Sequence, residues 1–138
     1  MSETRSLSSV SVGDKLPPLE IPLSRTLIVS TAIASRDYQD VHHDPELAEE
    51  RGSPDIFMNI LTTNGFVGRF VTDWTGPGAR LEKIDIRLGA PNYPGDTMTI
   101  EGAVTAKDDE AGTIEVSVRG ANQLGDHVTG TVRVALPS

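Results

Sequence analysis

A chain of 138 residues with 37% hydrophobic content supports one domain around a single core. Its net charge of −8, with no basic stripe, sets it apart from dedicated nucleic-acid binders. It has no cysteine, which excludes disulfide frameworks, thiolate nucleophiles and Cys-based zinc or iron–sulfur sites.

The first ten residues are polar, with no apolar run behind a basic start, and no segment approaches bilayer length. The expectation is a soluble, cytoplasmic protein in which residues 1–12 form a flexible tail and 13–138 the folded domain. Pro17 and Pro18 lead into residues 19–23, read as an edge strand, where proline is tolerated. Residues 25–29 continue extended. Ser30 or Thr31 then caps a short helix over 32–38. Asp44 caps a second short helix over 45–51, with Pro45 in its first turn and Gly52 as its stop.

The longest helical pattern runs over residues 55–71. Ile56, Ile60, Thr63, Val67 and Phe70 form one stripe, broadened by Phe57, Leu61 and Phe66, and that much apolar surface predicts deep burial. Gly65 lowers helix propensity in the middle of this pattern and is read as a point of close packing against a sheet. After the turn Gly76-Pro77-Gly78 the period changes to two, predicting strands over 81–88, 96–105, 113–122 and 127–136. The last three are spaced as an antiparallel meander. The fold class is α+β, a curved antiparallel sheet wrapped around one long helix.

Residues 37–44 concentrate the chemistry. They hold two of the three histidines among three aspartates. A carboxylate beside an imidazole moves a proton at neutral pH. Residues 37–44 are therefore the first place to look for chemistry. Spacing alone leaves a plainer reading open, a solvated His42-His43 pair with Asp44 as a helix cap, because short motifs match by chance. A metal site from His42, His43 and Asp44 is disfavoured, since adjacent side chains point in different directions. His127, at the start of a strand, reads as a surface or interface residue. Phe70 and Trp74 read as core or interface.

The order of elements is similar to the hotdog fold. Residues 35–45 resemble the signature of MaoC-like, R-specific enoyl-CoA hydratases: an Asp, a His five positions later, then an acidic residue and often a Pro. Asp37, His42, Asp44 and Pro45 match it position by position. Residues 90–96 resemble that family's strand-to-strand turn, and the likeness runs from about residue 12 to the end. A narrower likeness is to the small subunits of actinobacterial heteromeric hydratases acting on steroid side-chain CoA thioesters. It is carried by residues 40–44, 55–57, 59–61, 71–74 and 124–129. Two departures stand out. Gln39-Asp40 replaces the usual Asn-Pro, and Phe57-Met58-Asn59 lies where the family often has His-Gly.

The resemblance implies hydration of a trans-2-enoyl-CoA to an R-3-hydroxyacyl-CoA. Asp37 and His42 would hold one water between them, with His42 as the main base. Backbone N–H groups near Met58 and Asn59, at a helix N-terminus, would face the thioester oxygen. It implies no metal and no cofactor beyond the CoA of the substrate, and it implies a second MaoC-like subunit as partner, with no nucleic acid or membrane. Arg69, Arg80, Lys83 and Arg87 are candidate CoA contacts, but the negative charge of the chain points to a partner that completes the CoA site. Two other readings stay open: a hotdog acyl-CoA thioesterase, and a non-catalytic partner of an active hydratase.

Overall fold

The computed structural model describes residues 3–138. Strand β1 (Lys15–Pro22) is followed by helices α1 (Arg25–Ala34), α2 (Pro45–Glu50) and α3 (Ile60–Thr75). Strands β2 (Arg80–Leu88), β3 (Thr97–Asp108), β4 (Thr113–Asn122) and β5 (Gly125–Ala135) complete the chain. The five strands form one antiparallel sheet in the order β1-β3-β4-β5-β2. The meander β3-β4-β5 is therefore central, as the turn spacing predicts. Strand β1 is an edge, and its register shifts between Leu16 and Leu19, where Pro17 and Pro18 have no N–H to offer the ladder.

The sheet curves around α3 in the hotdog arrangement. Period-two burial on β4 and β5 turns Ile114, Val116, Val118, Val128, Val132 and Val134 inward, where they meet Val67, Phe70 and Val71 of α3. The helix comes close to the sheet at Gly102. A β-carbon there would lie 2.6 Å from the Ser117 carbonyl oxygen of β4 and 2.9 Å from the Phe70 ring, so a larger residue would force the strand or the helix to shift.

Several boundaries differ from the sequence reading. Residues 25–34 are helical because Ser24 caps them, its side chain accepting from the Leu27 N–H at 3.0 Å. The β-branched residues that suggested a strand are overridden by the cap and by burial of Ile28 and Ala32. Helix α3 begins at Ile60, not near Asp55. Residues 56–58 run extended, with the Phe57 N–H on Val41 O and the Met58 N–H on Asn92 O. Ile60 and Leu61 are accordingly half exposed. Gly65 does not pack against the sheet: a β-carbon there would meet nothing within 4 Å. Gly68 is the glycine that faces Ile84 and Leu81 of β2.

The expected flexible tail is also corrected over residues 3–12. The Arg5 guanidinium lies 4.3 Å from the Trp74 ring centroid, and its Nε donates to Trp74 O at 2.8 Å. Val10 is fully buried in the core, and its carbonyl accepts from Lys107 Nζ. No helix among the described residues is long and apolar enough to cross a membrane.

His127 is a core residue and not a surface one, with 3% of its area exposed. The Ala90 carbonyl can only accept, so Nδ1–H donates to it at 2.7 Å. That leaves Nε2 to accept from the Thr63 hydroxyl at 2.8 Å. One neutral ring thus ties α3 to β5 and to the connection after β2. Burial lowers its pKa below the ordinary histidine value, although the bond to Ala90 O acts in the opposite sense. The unfolded chain therefore takes up the proton first as pH falls. Stability is complete above about pH 6.5 and drops as pH falls from there toward the lower folded-state value, by up to about 1.4 kcal/mol per pH unit. Urea denaturation at pH 8 and pH 5.5 checks this. The wild type loses stability at pH 5.5, and H127Q loses much less. An equal loss in both proteins contradicts the assignment.

Candidate active site

The site lies where the loop after α1, the short turn Asp40–His42 and the start of α3 meet. Helix α1 ends because Arg36 turns left-handed, at φ 57°, which throws Asp37 out of the helical path. The Asp37 N–H still bonds to Ala32 O at 2.9 Å. Residues 40–42 then form one turn of 3-10 helix, which brings His42 back toward Asp37. Asp44 caps α2 as expected, accepting from the N–H groups of Glu46 at 2.9 Å and Leu47 at 3.3 Å.

Asp37 and His42 meet: Oδ2 of the carboxylate is 3.4 Å from Nε2 of the imidazole. The other ring nitrogen, Nδ1, lies 2.6 Å from Phe57 O. A carbonyl accepts only, so Nδ1 carries a proton. In the neutral ring Nε2 is then a bare lone pair facing a carboxylate oxygen. Two acceptors that face each other need a donor between them. A water with one O–H on each satisfies both, and so does a proton on Nε2. Phe57 also holds the ring from the side, in a T-shaped contact with centroids 5.0 Å apart.

The carboxylate is held at both oxygens. Asn59 Nδ2 donates to Oδ2 at 3.1 Å and the Gln39 N–H donates to Oδ1 at 3.2 Å. Desolvation by itself raises the Asp37 pKa. The Asn59 and Gln39 bonds, with the charges of His42 and His43, outweigh it and hold the carboxyl below its ordinary value. Asp37 is therefore an anion throughout the neutral range. His43 faces elsewhere. Its Nε2–H donates to the Asp37 carbonyl at 2.6 Å and its ring stacks on Tyr38, so it braces the loop.

The two residues expected to supply oxyanion donors behave differently. The Met58 N–H is spent on Asn92 O at 3.1 Å, so it is not an open donor. The Asn59 N–H has no acceptor among the described residues. Helix geometry also leaves the N–H groups of Ile60 and Leu61 without intrahelical partners. The Asn59 side chain is 2% exposed and fully bonded, so it does not face substrate. Of the candidate CoA contacts, Arg69 pairs with Asp73, Arg80 with Glu82 and Lys83 with Asp85. Arg87 has no carboxylate partner among the described residues. Ser35 and Thr62 enter the site's support without having been singled out from the sequence, and Phe57, read there as part of a helical stripe, enters it through its carbonyl and ring. The run Asn59-Ile60-Leu61-Thr62 does carry a readable N-cap signal. Among the described residues no three His, Asp or Glu side chains cluster so as to hold a metal ion.

Residues 9–123 match the family model described as the MaoC like domain. A curated relative from Mycobacterium tuberculosis, the 3-oxo-4,17-pregnadiene-20-carboxyl-CoA hydratase beta subunit, is 54% identical over 125 residues, covering 91% of this chain and 95% of the relative. Among solved structures, the ChsH1-ChsH2 complex from Mycobacterium tuberculosis aligns with a TM-score of 0.89 at 54% identity, covering 92% of this chain and 98% of that one. The (R)-hydratase from A. caviae involved in PHA biosynthesis aligns with a TM-score of 0.82 at 26% identity, covering 94% and 98%.

The tautomer of His42 is directly measurable. Nitrogen-15 NMR at pH 8 is expected to show Nδ1 protonated and Nε2 bare. The opposite pattern contradicts the bond to Phe57 O.

Proposed function

The chain belongs to the MaoC-like family, and from that premise we propose that it is the catalytic subunit of a hydratase that adds water to a trans-2-enoyl-CoA. The observation that carries this reading is the pairing of Asp37 Oδ2 with His42 Nε2 at 3.4 Å, with Nδ1 committed to Phe57 O. A water lodged between them is polarised at both hydrogens. Its oxygen attacks the β-carbon while His42 Nε2 takes a proton, and Asp37 holds the second O–H. The electron pair of the double bond moves to the α-carbon and the thioester oxygen. The proton is then returned to the α-carbon from the same pair. All atoms of one water are accounted for, and the product is a 3-hydroxyacyl-CoA.

The developing negative charge on the thioester oxygen would be held by the open N–H groups at the start of α3, that of Asn59 foremost. They lie at the positive end of a sixteen-residue helix. Low-dielectric surroundings strengthen such donors, and one is typically worth about 3 kcal/mol in the transition state. The ionised state of Asp37 divides the labour. As a stabilised anion it orients the water and balances the imidazolium, and the proton itself goes to His42.

The finer reading concerns substrate and partner. The M. tuberculosis relative is named as a beta subunit acting on a pregnadiene carboxyl-CoA, and a similar chain was solved as part of a two-protein complex. This supports a bulky steroid side-chain thioester as substrate and a second MaoC-like chain as partner. The net charge of −8 favours the same arrangement, because the CoA phosphates need cations. Three of the four basic residues proposed for that task are already paired with carboxylates.

The test is co-expression with candidate partner chains, purification of the assembled complex, and assay of enoyl absorbance with steroidal trans-2-enoyl-CoA. D37N and H42A should each lower turnover by about 10²- to 10⁴-fold with assembly intact. Turnover at the wild-type rate in either variant would assign catalysis to the other subunit.

A further inference from the structure

Asn59 occupies a place that chemistry alone does not explain. It is 2% exposed, lies at the N-cap of α3, and uses every donor and acceptor of its amide. Oδ1 accepts from the Thr62 N–H at 3.2 Å and from the Thr62 hydroxyl. Nδ2 donates to Ser35 Oγ at 2.9 Å and to Asp37 Oδ2 at 3.1 Å. The orientation of this amide is not free. Oδ1 must face the helix to accept from Thr62, so the NH₂ group must face Ser35 and Asp37. Ser35 is fixed in turn, because its hydroxyl donates back to the carbonyls of Thr31 and Ala32 at 2.8 and 3.1 Å. Its oxygen is therefore left as an acceptor toward Asn59.

We infer that the Asn59 side chain is a positioning residue for the hydration step, one that aims the Asp37 carboxylate at His42 and locks that aim to the start of α3 and the end of α1. The inference rests on the hydratase reading above. Oδ2 is the atom that faces His42 Nε2, and an N–H of the Asn59 side-chain amide, on Nδ2, occupies one of its lone pairs. The other lone pair is left for the water. With Gln39 N–H on Oδ1, rotation of the carboxylate about its last bond breaks a hydrogen bond in either direction. The same residue offers its backbone N–H at the oxyanion position, so the side chain couples the two halves of the site. The water is aimed by one end of Asn59 and the enolate is met by the other. Aspartate at this position would cap the helix equally well but would set a second carboxylate against Asp37. Serine would cap it and reach neither partner.

A cap-only role and a positioning role diverge under cap-preserving substitution. N59S retains a good N-cap and the backbone N–H while removing the donor to Asp37. In the assembled complex, assayed with the steroidal enoyl-CoA, N59S should melt within a few degrees of wild type. Its kcat should fall by about tenfold to a hundredfold with KM changed little. The acid limb of its kcat/KM profile should move to higher pH, because the base must be unprotonated and the Asp37 carboxylate, relieved of the Asn59 bond, turns more of its charge on His42 and favours the protonated ring. N59D should move that limb further in the same direction. S35A leaves the cap untouched and frees the second amide donor. It should shift the limb the same way by less, and it carries the test if N59S fails to assemble. An N59S complex with wild-type kcat and an unmoved acid limb overturns the inference, as does an unmoved limb in S35A when N59S does not assemble. If D37N is inactive in the same preparation, the hydratase reading survives that result. Full turnover in D37N removes both.

Discussion

The hydrogen bond from His42 Nδ1 to the Phe57 carbonyl, at 2.6 Å, is the constraint on which the site depends. It makes Nδ1 the donor and leaves Nε2 as the basic atom. It also turns Nε2 toward Asp37, because a planar ring fixed at one nitrogen has little freedom at the other. Without it the imidazole could take the other tautomer and donate its Nε2–H to the carboxylate, and the pair would close into a direct hydrogen bond. A buried bond of this kind, once broken, leaves an unsatisfied carbonyl at a cost of about 1–3 kcal/mol, so the arrangement resists thermal loss.

That carbonyl is in place because residues 56–58 are extended and not helical. The stretch threads between the loop that carries Asp37 and His42 and the connection after β2. The Phe57 N–H meets Val41 O on one side and the Met58 N–H meets Asn92 O on the other. Ile56 and Met58 point into the core while Phe57 points out toward His42. The helix can begin only after this span, and Asn59 begins it. The late start of α3 is therefore part of the site. A helix from residue 55 would draw the Phe57 carbonyl into its own ladder and leave His42 without a partner.

Much of the chain was legible because its signals are local. The Asp37–His42 pair is read from the resemblance of residues 35–45 to a family signature, and one short turn brings His42, five positions on, back to Asp37. The meander is read from period-two strands separated by turn residues. What escaped depends on contacts distant in sequence. The stripe from Ile56 to Phe70 has helical spacing throughout, yet its first turn is taken by pairing with Val41 and Asn92. Gly65 and Gly68 are equivalent by composition, and only the position of β2 decides which of them lies against the sheet. His127 looked like the polar start of a strand. Partners 64 and 37 residues away, Thr63 and Ala90, make it a core residue. Asn59 was noticed for its backbone, whereas its side chain does the positioning, and that needs Ser35 and Asp37 from another element.

The central claim is that Asp37 and His42 share one reactive water. A crystal structure of the assembled complex at a resolution that orders solvent tests it most directly. The account predicts density for a single water within hydrogen-bond reach of both Asp37 Oδ2 and His42 Nε2. Side chains rotated apart, or a pair in direct contact with solvent excluded between them, would contradict it.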